Sequence, residues 1–523
     1  MASRISPSDR RTERRTGAER RLAVVDMGSN TFRLVVFRYR PGGGFRLVDE
    51  IRHAVRLSVG ADESGLRRDA LERAEHTARL YAAFCEASEV DEVVVAATSA
   101  ARDAANGAQA MRALSADGAL DVRVLSAEEE AWYGYLGAVN STTLGDGHVL
   151  DLGGGSVQVT AVRGRALQQA ISRPLGAVRM TERYLPGERQ SRSDLKPLRR
   201  KVLKEMSGVP WLDAVGGRMV GVGGTIRTLA RMHQRATDYA LDELHGYVLP
   251  RSGLERLIEE MLELPASERS RLPGLKPDRA DITLAGATVI SSVMEAVGVE
   301  RIEICAQGLR EGIFYERWLA PSDPPLIPDV RRNSVLNLVD AYRADVPHAD
   351  QVCRTAGLLY AGLVELGLQR DDPRERELLW AAGMLHDVGV MVDYNDHHKH
   401  GFYLILNAGL PGFDHAELAL VALLARAHRK ALPSTTPLEG VLGDDDPDRL
   451  DRLAVCLRIA EQLERGRAGG IRDVTLALEE DDAIRIEVTA LGDPAIPIWS
   501  AGLEAPAVER AFGRPLRVVE AGA

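Results

Sequence analysis

Leu150-Asp151-Leu152-Gly153-Gly154-Gly155-Ser156 runs from apolar residues into one aspartate, then three glycines and a hydroxyl, before Val157, Val159 and Ala161 resume an alternating pattern. The stretch reads as strand, glycine turn, strand. Glycines admit the positive φ angles that aim successive backbone N–H groups at one point, which makes the turn a candidate anion nest. The pattern also stands earlier in the chain. Leu22 to Val25 lead into Asp26-Met27-Gly28-Ser29-Asn30-Thr31, and Phe32 to Phe37 follow. Two aspartate-tipped glycine hairpins predict two related halves facing one anionic ligand. A third turn, Val220-Gly221-Val222-Gly223-Gly224-Thr225, opens into Ile226 to Met232 as strand, turn and helix, a setting that can hold a phosphate or nucleotide at the helix end.

Composition narrows the function classes. A chain of 523 residues is too long for one core and is expected to form several domains. With 45% hydrophobic and 27% charged residues it is an ordinary globular chain, and a formal charge of −10 argues against a general nucleic-acid binder, since such proteins are usually basic. A polyanionic ligand must therefore be held by local cations, nests or metal ions. Cys85, Cys305, Cys353 and Cys456 are scattered without CxxC spacing, as expected of reduced thiols. The first 21 residues hold seven arginines and no apolar run, which predicts a disordered basic arm over residues 1–20 and no signal peptide. No window reaches the length needed to span a bilayer, Leu418 to Ala427 included, so a cytoplasmic protein without membrane partners is expected.

Further signals come in chain order. Gly42-Gly43-Gly44 reads as a turn before a strand from Phe45 to Glu50. Residues 66–87 set Ala70, Ala74, Thr77, Ala78, Tyr81, Phe84 and Cys85 on one helical stripe. A strand from Val93 to Ala97 precedes a helix that Thr98 or Ser99 is expected to cap, with Arg102 in its first turns either solvated or on a phosphate. After a strand from Val122 to Leu125, Ser126 and Glu129 have the spacing of a capping box, which leaves Glu130 without a capping task and makes it the candidate for chemistry. The basic run Arg189, Arg192, Lys196, Arg199, Arg200, Lys201 and Lys204 reads as a solvated helix face or a path for a polyanion. Pro321 to Pro328 marks a linker, and beyond it the chain turns to long helices, among them Leu378 to Asp387. Val474 to Val488 alternates as an exposed hairpin around Glu479 to Asp482. A helix near Val508 and a strand from Leu516 to Val519 follow.

The set Asp26 to Asn30, Ala97 to Arg102, Ser126 to Ala131, Asp151 to Ser156, Gly221 to Thr225 and Gly308 to Gly312 resembles the exopolyphosphatase and guanosine pentaphosphate phosphohydrolase (Ppx/GppA) family, within the superfamily of actin, sugar kinases and heat-shock chaperones. The resemblance implies an α/β fold of two ribonuclease-H-like halves, actin-like domain I over 21–138 and domain II over 139–320, with the active site in the cleft between them. An all-α HD-like domain over 329–468 and a small α/β domain over 469–523 would follow, in a homodimer. It implies that Glu130 is the catalytic glutamate, that Asp151 and Asp26 help hold Mg²⁺ or another divalent cation, and that Arg102 binds phosphate. Gly28, Ser29, Asn30, Thr31, Gly153, Gly154, Gly155, Ser156, Gly223, Gly224 and Thr225 would cradle phosphates. Where many members continue as Gly-Gly-Ser-Thr-Glu, this chain has Gly154-Gly155-Ser156-Val157-Gln158, an amide for a carboxylate.

The helix ending in His386-Asp387 resembles the core of HD phosphohydrolases. That likeness implies a second metal set of His348, His386, Asp387 and Glu461, with glutamate where the family has aspartate and with His397, His398, His400 and His428 nearby. The expected activity is exopolyphosphatase, a phosphoric anhydride hydrolysis of inorganic polyphosphate. Guanosine pentaphosphate hydrolysis, a nucleotide-dependent kinase or actin-like polymer, and a non-catalytic polyphosphate or alarmone sensor are the alternatives.

Overall fold

The computed structural model describes residues 18–116, 120–212, 216–429 and 434–522. The basic arm expected over 1–20 therefore lies outside the described residues up to residue 17. The chain divides into two compact units, one of Met1–Asp238 with Leu244–Val330 and one of Tyr239–Glu243 with Arg331–Ala523.

The first unit is built on two sheets. β1 (Arg20–Met27), β2 (Phe32–Tyr39), β3 (Phe45–His53), β4 (Glu92–Ala97) and β5 (Val122–Val124) form one in the order β3-β2-β1-β4-β5. β6 (Gly147–Leu152), β7 (Val157–Arg163), β8 (Ala166–Arg173), β9 (Met219–Val222), β10 (Val248–Pro250) and β11 (Arg301–Ile304) form the other in the order β10-β11-β9-β6-β7-β8. Counted from its own first strand, each sheet runs 3-2-1-4-5, with β10 added at the edge of the second. In each, the first three strands are antiparallel and the next two run parallel to the first, while edge strand β10 pairs antiparallel with β11. The expectation of two related halves is thus met by the topology.

The central strands are apolar on both faces because both faces are covered. Leu22, Ala23, Val24 and Val25 of β1 are fully buried, whereas Leu47 and Val48 of edge strand β3 are exposed. A helix of the second half closes onto the first sheet. Phe314 of helix Leu309–Trp318 stacks on Phe37 of β2 with ring centroids 4.2 Å apart. The same helix meets Ala127–Val139 through Tyr133, whose hydroxyl donates to Glu316 at 2.9 Å. Burial of such rings and side chains stabilises by roughly 1.5–3 kcal/mol each, and the crossing ties the two halves to one another.

Most local expectations hold, with two corrections. The helix stripe over 66–87 forms as Arg68–Ala87, and Ser126 and Glu129 make the capping box, with Glu129 N donating to Ser126 Oγ at 3.1 Å and Ser126 N to Glu129 Oε2 at 2.9 Å. Thr98 holds the N-cap position of Ser99–Asp103 but makes no side-chain capping bond, and that helix stops after one turn before another starts at Gly107. The basic run lies largely on helix Arg192–Ser207, where Arg192 pairs with Glu259, Arg199 with Glu255 and Lys201 with Glu205, so much of its charge is matched locally.

The second correction lies in the second unit. Helices Val346–Glu365, Pro373–Leu385, His397–Ala408 and Asp446–Leu463 surround His415–Ala427, which is buried on nearly every side. Its apolar run is therefore core, and no helix among the described residues is long and apolar enough to cross a membrane. The hairpin β12 (Ile471–Leu478) and β13 (Ile484–Ala490), with β14 (Leu516–Glu520) parallel to β13, is not exposed on both faces. Val474, Ile484, Ile486 and Val488 are buried in the same apolar core as the helices, because alternation leaves one face apolar and that face needs cover.

A candidate active site at the meeting of two glycine hairpins

The two hairpins have the same local construction. Gly28 N donates to Thr31 O at 3.1 Å, and Gly153 N donates to Ser156 O at 3.0 Å. Across the strands Asp26 faces Arg33, and Asp151 faces Gln158. The tips touch. A Cβ on Gly154 would stand 3.0 Å from Ser29 Cβ, so this close approach requires glycine. Gly223, at φ +107°, brings the third turn to the same place, and its backbone lies against Leu152 and Asp151. Helix Gly224–Ala236 then starts at the cavity with its free N–H groups.

The cavity so enclosed measures about 130 Å³. Since one water needs about 10–15 Å³, it admits a phosphoryl group with several waters. Its lining includes Asp26, Glu130 and Asp151, together with Gly28, Ser29, Asn30, Thr31, Gly153, Gly154, Gly223, Gly224 and Thr225. Gly155 and Ser156 stand behind that wall. Ser156 is buried and its Oγ accepts from Gln158 Nε2 at 3.0 Å, so Gln158 is spent on the turn rather than on the cavity. Arg102 is likewise outside the lining. Its Nη1 donates to Glu130 Oε2 at 2.9 Å and to Leu125 O at 3.1 Å.

Four arginines line the cavity that sequence reasoning did not single out as ligands: Arg33, Arg227, Arg279 and Arg310. Arg310 Nη1 donates to Asp26 Oδ2 at 3.2 Å. Arg227 is pushed down to about 10 by burial and then by Arg33 and Arg310, and Arg279 to about 10 by burial and then by Arg52. Cations crowded out of water in this way favour an anionic ligand. The carboxylates are displaced the other way. Burial raises Glu130 to about 7 against the pull of Arg102, with Asp151 and Asp26 adding to the rise, and burial with Asp26 raises Asp151 to about 6. Asp26 is raised by burial despite Arg310 and Arg33.

The surroundings of Asp151 fit a divalent cation. Its carboxylate makes no hydrogen bond among the described residues. A Cβ on Gly223 would stand 3.0 Å from its Oδ1 and one on Gly134 3.3 Å from its Oδ2, so glycine keeps both oxygens clear. A carboxylate beside a second carboxylate, with both its oxygens clear, suits Mg²⁺, which keeps several waters.

A family model described as the Ppx/GppA phosphatase family matches residues 35–320, and one described as Ppx/GppA phosphatase, domain III, matches residues 330–491. The chain belongs to the Ppx/GppA phosphatase family. It is similar to the crystal structure of the Ppx/GppA family member of Aquifex aeolicus, at 28% identity and TM-score 0.49 over 57% of this chain and 97% of that one. An exopolyphosphatase of Cytophaga hutchinsonii matches at 21% identity and TM-score 0.52, over 57% of this chain and 98% of that one. A structure described as an exopolyphosphatase-like protein matches at 25% identity and TM-score 0.51, over 56% of this chain and 96% of that one. The protein is accordingly a phosphatase acting on phosphoric anhydrides.

In the domain III region of this Ppx/GppA phosphatase, the residues expected to form a second metal set come together. Glu461 Oε2 lies 3.1 Å from His348 Nε2 and 3.3 Å from His386 Nε2. The longer glutamate stem therefore spans to both imidazoles. Asp387 turns to two histidines outside the expected set, with its Oδ1 3.2 Å from His397 Nε2 and 3.8 Å from His428 Nε2. Both lie among the imidazoles noted from the sequence, but nothing in their spacing separates them from His398 and His400.

Proposed function

We propose that the chain is an exopolyphosphatase that releases terminal orthophosphate from inorganic polyphosphate by in-line attack of water. The observation that carries this reading is the convergence of Glu130, Asp151 and Asp26 with four arginines where the two glycine hairpins meet. Similarity to the exopolyphosphatase-like structure supports the polymeric substrate.

Glu130 accepts a proton from the attacking water. A base raised to about 7 is half ionised near neutral pH and still basic enough to take that proton, which is the balance general-base catalysis needs. Arg102 orients the carboxylate through Nη1, and so acts on the base rather than on the phosphate. Arg33, Arg227, Arg279 and Arg310 bind the phosphate oxygens, and the backbone N–H groups of Gly28 to Thr31 and Gly153 to Gly154 orient the terminal phosphoryl group. Asp151, with Asp26 beside it, would hold Mg²⁺ or another divalent cation, which when bound offsets the charge that builds on the phosphoryl oxygens.

The test is incubation of the full chain with long-chain polyphosphate and Mg²⁺, with and without chelator, following free orthophosphate and residual polymer length. Steady phosphate release with long residual chains, abolished by chelator, is expected; random shortening of the polymer overturns the exo mode. Guanosine pentaphosphate is offered in competition, and its preferential consumption would replace polyphosphate as the substrate.

A further inference from the structure

The second unit gathers four buried histidines, His348, His386, His397 and His428, around the carboxylates of Asp387 and Glu461. His386 Nδ1 lies 2.6 Å from Gly383 O, His397 Nδ1 2.8 Å from Tyr394 O, and His428 Nδ1 2.6 Å from Ala425 O. A carbonyl only accepts, so each Nδ1 carries the proton and each neutral ring presents a bare Nε2 lone pair. The contact of Arg429 with His397 Nδ1, at 3.4 Å, is too long to compete with that carbonyl. These lone pairs point at one another and at carboxylates. His397 Nε2 is 3.0 Å from His428 Nε2, and His386 Nε2 is 3.3 Å from His348 Nε2. With the rings neutral, acceptor thus faces acceptor between His397 and His428 and between His386 and Glu461, which calls for cations among them, whereas His348, whose Nδ1 has no partner among the described residues, can donate from Nε2.

The spacing is that of a coordination shell. Metal–nitrogen bonds of about 2.0–2.1 Å give ligand–ligand edges from about 2.9 Å in an octahedron to about 3.4 Å in a tetrahedron. His348, His386 and Glu461 are separated by 3.1, 3.3 and 3.3 Å, and His397 by 3.0 Å from His428 and 3.2 Å from Asp387, with a wider edge of 3.8 Å between His428 and Asp387. Asp387 lies between the two triads, its Oδ2 4.0 Å from His348 Nε2 and its Oδ1 3.8 Å from His386 Nε2. The backbone carbonyls behind three of the rings fix tautomer and orientation, as outer partners of metal ligands do. Arg467, paired with Asp387, offsets one of the two carboxylates.

We propose that the second unit binds a pair of divalent transition-metal ions, one on His348, His386 and Glu461 and the other on His397, His428 and Asp387, with Asp387 shared between them. Four imidazoles and two carboxylates select zinc, manganese, iron or cobalt over magnesium and calcium. Counting the shared Asp387, the first ion has four protein donors and the second three, which in five- or six-coordinate geometry leaves positions for water or an oxyanion. The centre uses none of the cleft residues and stands whether or not polyphosphate is the substrate.

The test uses the full chain carrying Asp151→Asn, so that the cleft carboxylate does not contribute, stripped with chelator and titrated with Co²⁺ by calorimetry and visible absorption. Two Co²⁺ per chain with ligand-field bands of nitrogen coordination are expected. His428→Ala and Glu461→Ala should each leave one ion, and Asp387→Ala should weaken both. No retained cobalt, or uptake unchanged by His428→Ala and Glu461→Ala, overturns the site, and a single ion in the Asp151→Asn chain overturns the pair. Where a variant loses its far-ultraviolet circular dichroism, the Asp151→Asn chain loaded with Mn²⁺ is read by electron paramagnetic resonance. An exchange-coupled spectrum is expected, and isolated-ion lines alone overturn the pair.

Discussion

Glu130 becomes a carboxylate only above a pKa that burial has lifted from the ordinary 4.5 to about 7, and Arg102 limits that rise by holding its Oε2. A raised pKa means that the protonated, inactive form persists to higher pH. Turnover with polyphosphate should therefore climb with rising pH and level off by about 7, since Mg²⁺ on Asp151 and Asp26 offsets charge that helps raise Glu130, in a pH–rate profile taken at saturating Mg²⁺. Glu130→Gln keeps the shape and the Arg102 contact while removing the base. It should lower kcat by at least about 10²-fold and abolish the rise near neutrality, with circular dichroism unchanged. A wild-type turnover in that variant would remove Glu130 from the mechanism. Glu130 was legible in the sequence because Ser126 and Glu129 occupy the capping roles around it; its altered basicity was not, because desolvation is set by distant chain.

At the scale of elements, the paired hairpins depend on glycine where they touch. Gly154→Val would set branched carbons against Ser29 and Val178, neighbours already within 3.0 and 3.3 Å of a Cβ there. The expected result is a loss of about 1–3 kcal/mol in urea unfolding together with a fall in kcat, since the tips must part. Gly145→Val, at a position where a Cβ meets nothing within 4 Å, should stay within about 0.5 kcal/mol. These turns were readable from sequence because their signal is local: aspartate, glycines and flanking apolar alternation. The helix after β4 was misjudged for the opposite reason. Asn106 Oδ1 accepts from Leu66 N at 2.7 Å, a contact 40 positions away in the chain that no local cap signal announces, and the run breaks into two short helices.

At the scale of the whole molecule, the cavity collects arginines from β2, from the helix after the third glycine turn, from the segment before Thr283 and from the start of helix Leu309–Trp318. Arg279→Gln removes one of these cations and leaves the carboxylates untouched. KM for polyphosphate should rise by about tenfold or more, the worth of a hydrogen bond to a charged group, with a smaller change in kcat. Wild-type KM should also rise with salt, as charge-driven binding does. A KM indifferent to both would remove Arg279 from the substrate site.

The sequence by itself determined the two hairpins, their aspartates, the capping box that frees Glu130 and the change to helices past residue 328, because each is written in neighbouring residues. Only the tertiary structure decided that Asp26, Glu130 and Asp151 share a cavity with four arginines, that Gln158 serves the turn, and that His397 and His428 rather than His398 and His400 face Asp387. Those outcomes follow from which strand faces which and how helices rotate against one another, and buried contacts across a hundred or more positions set both.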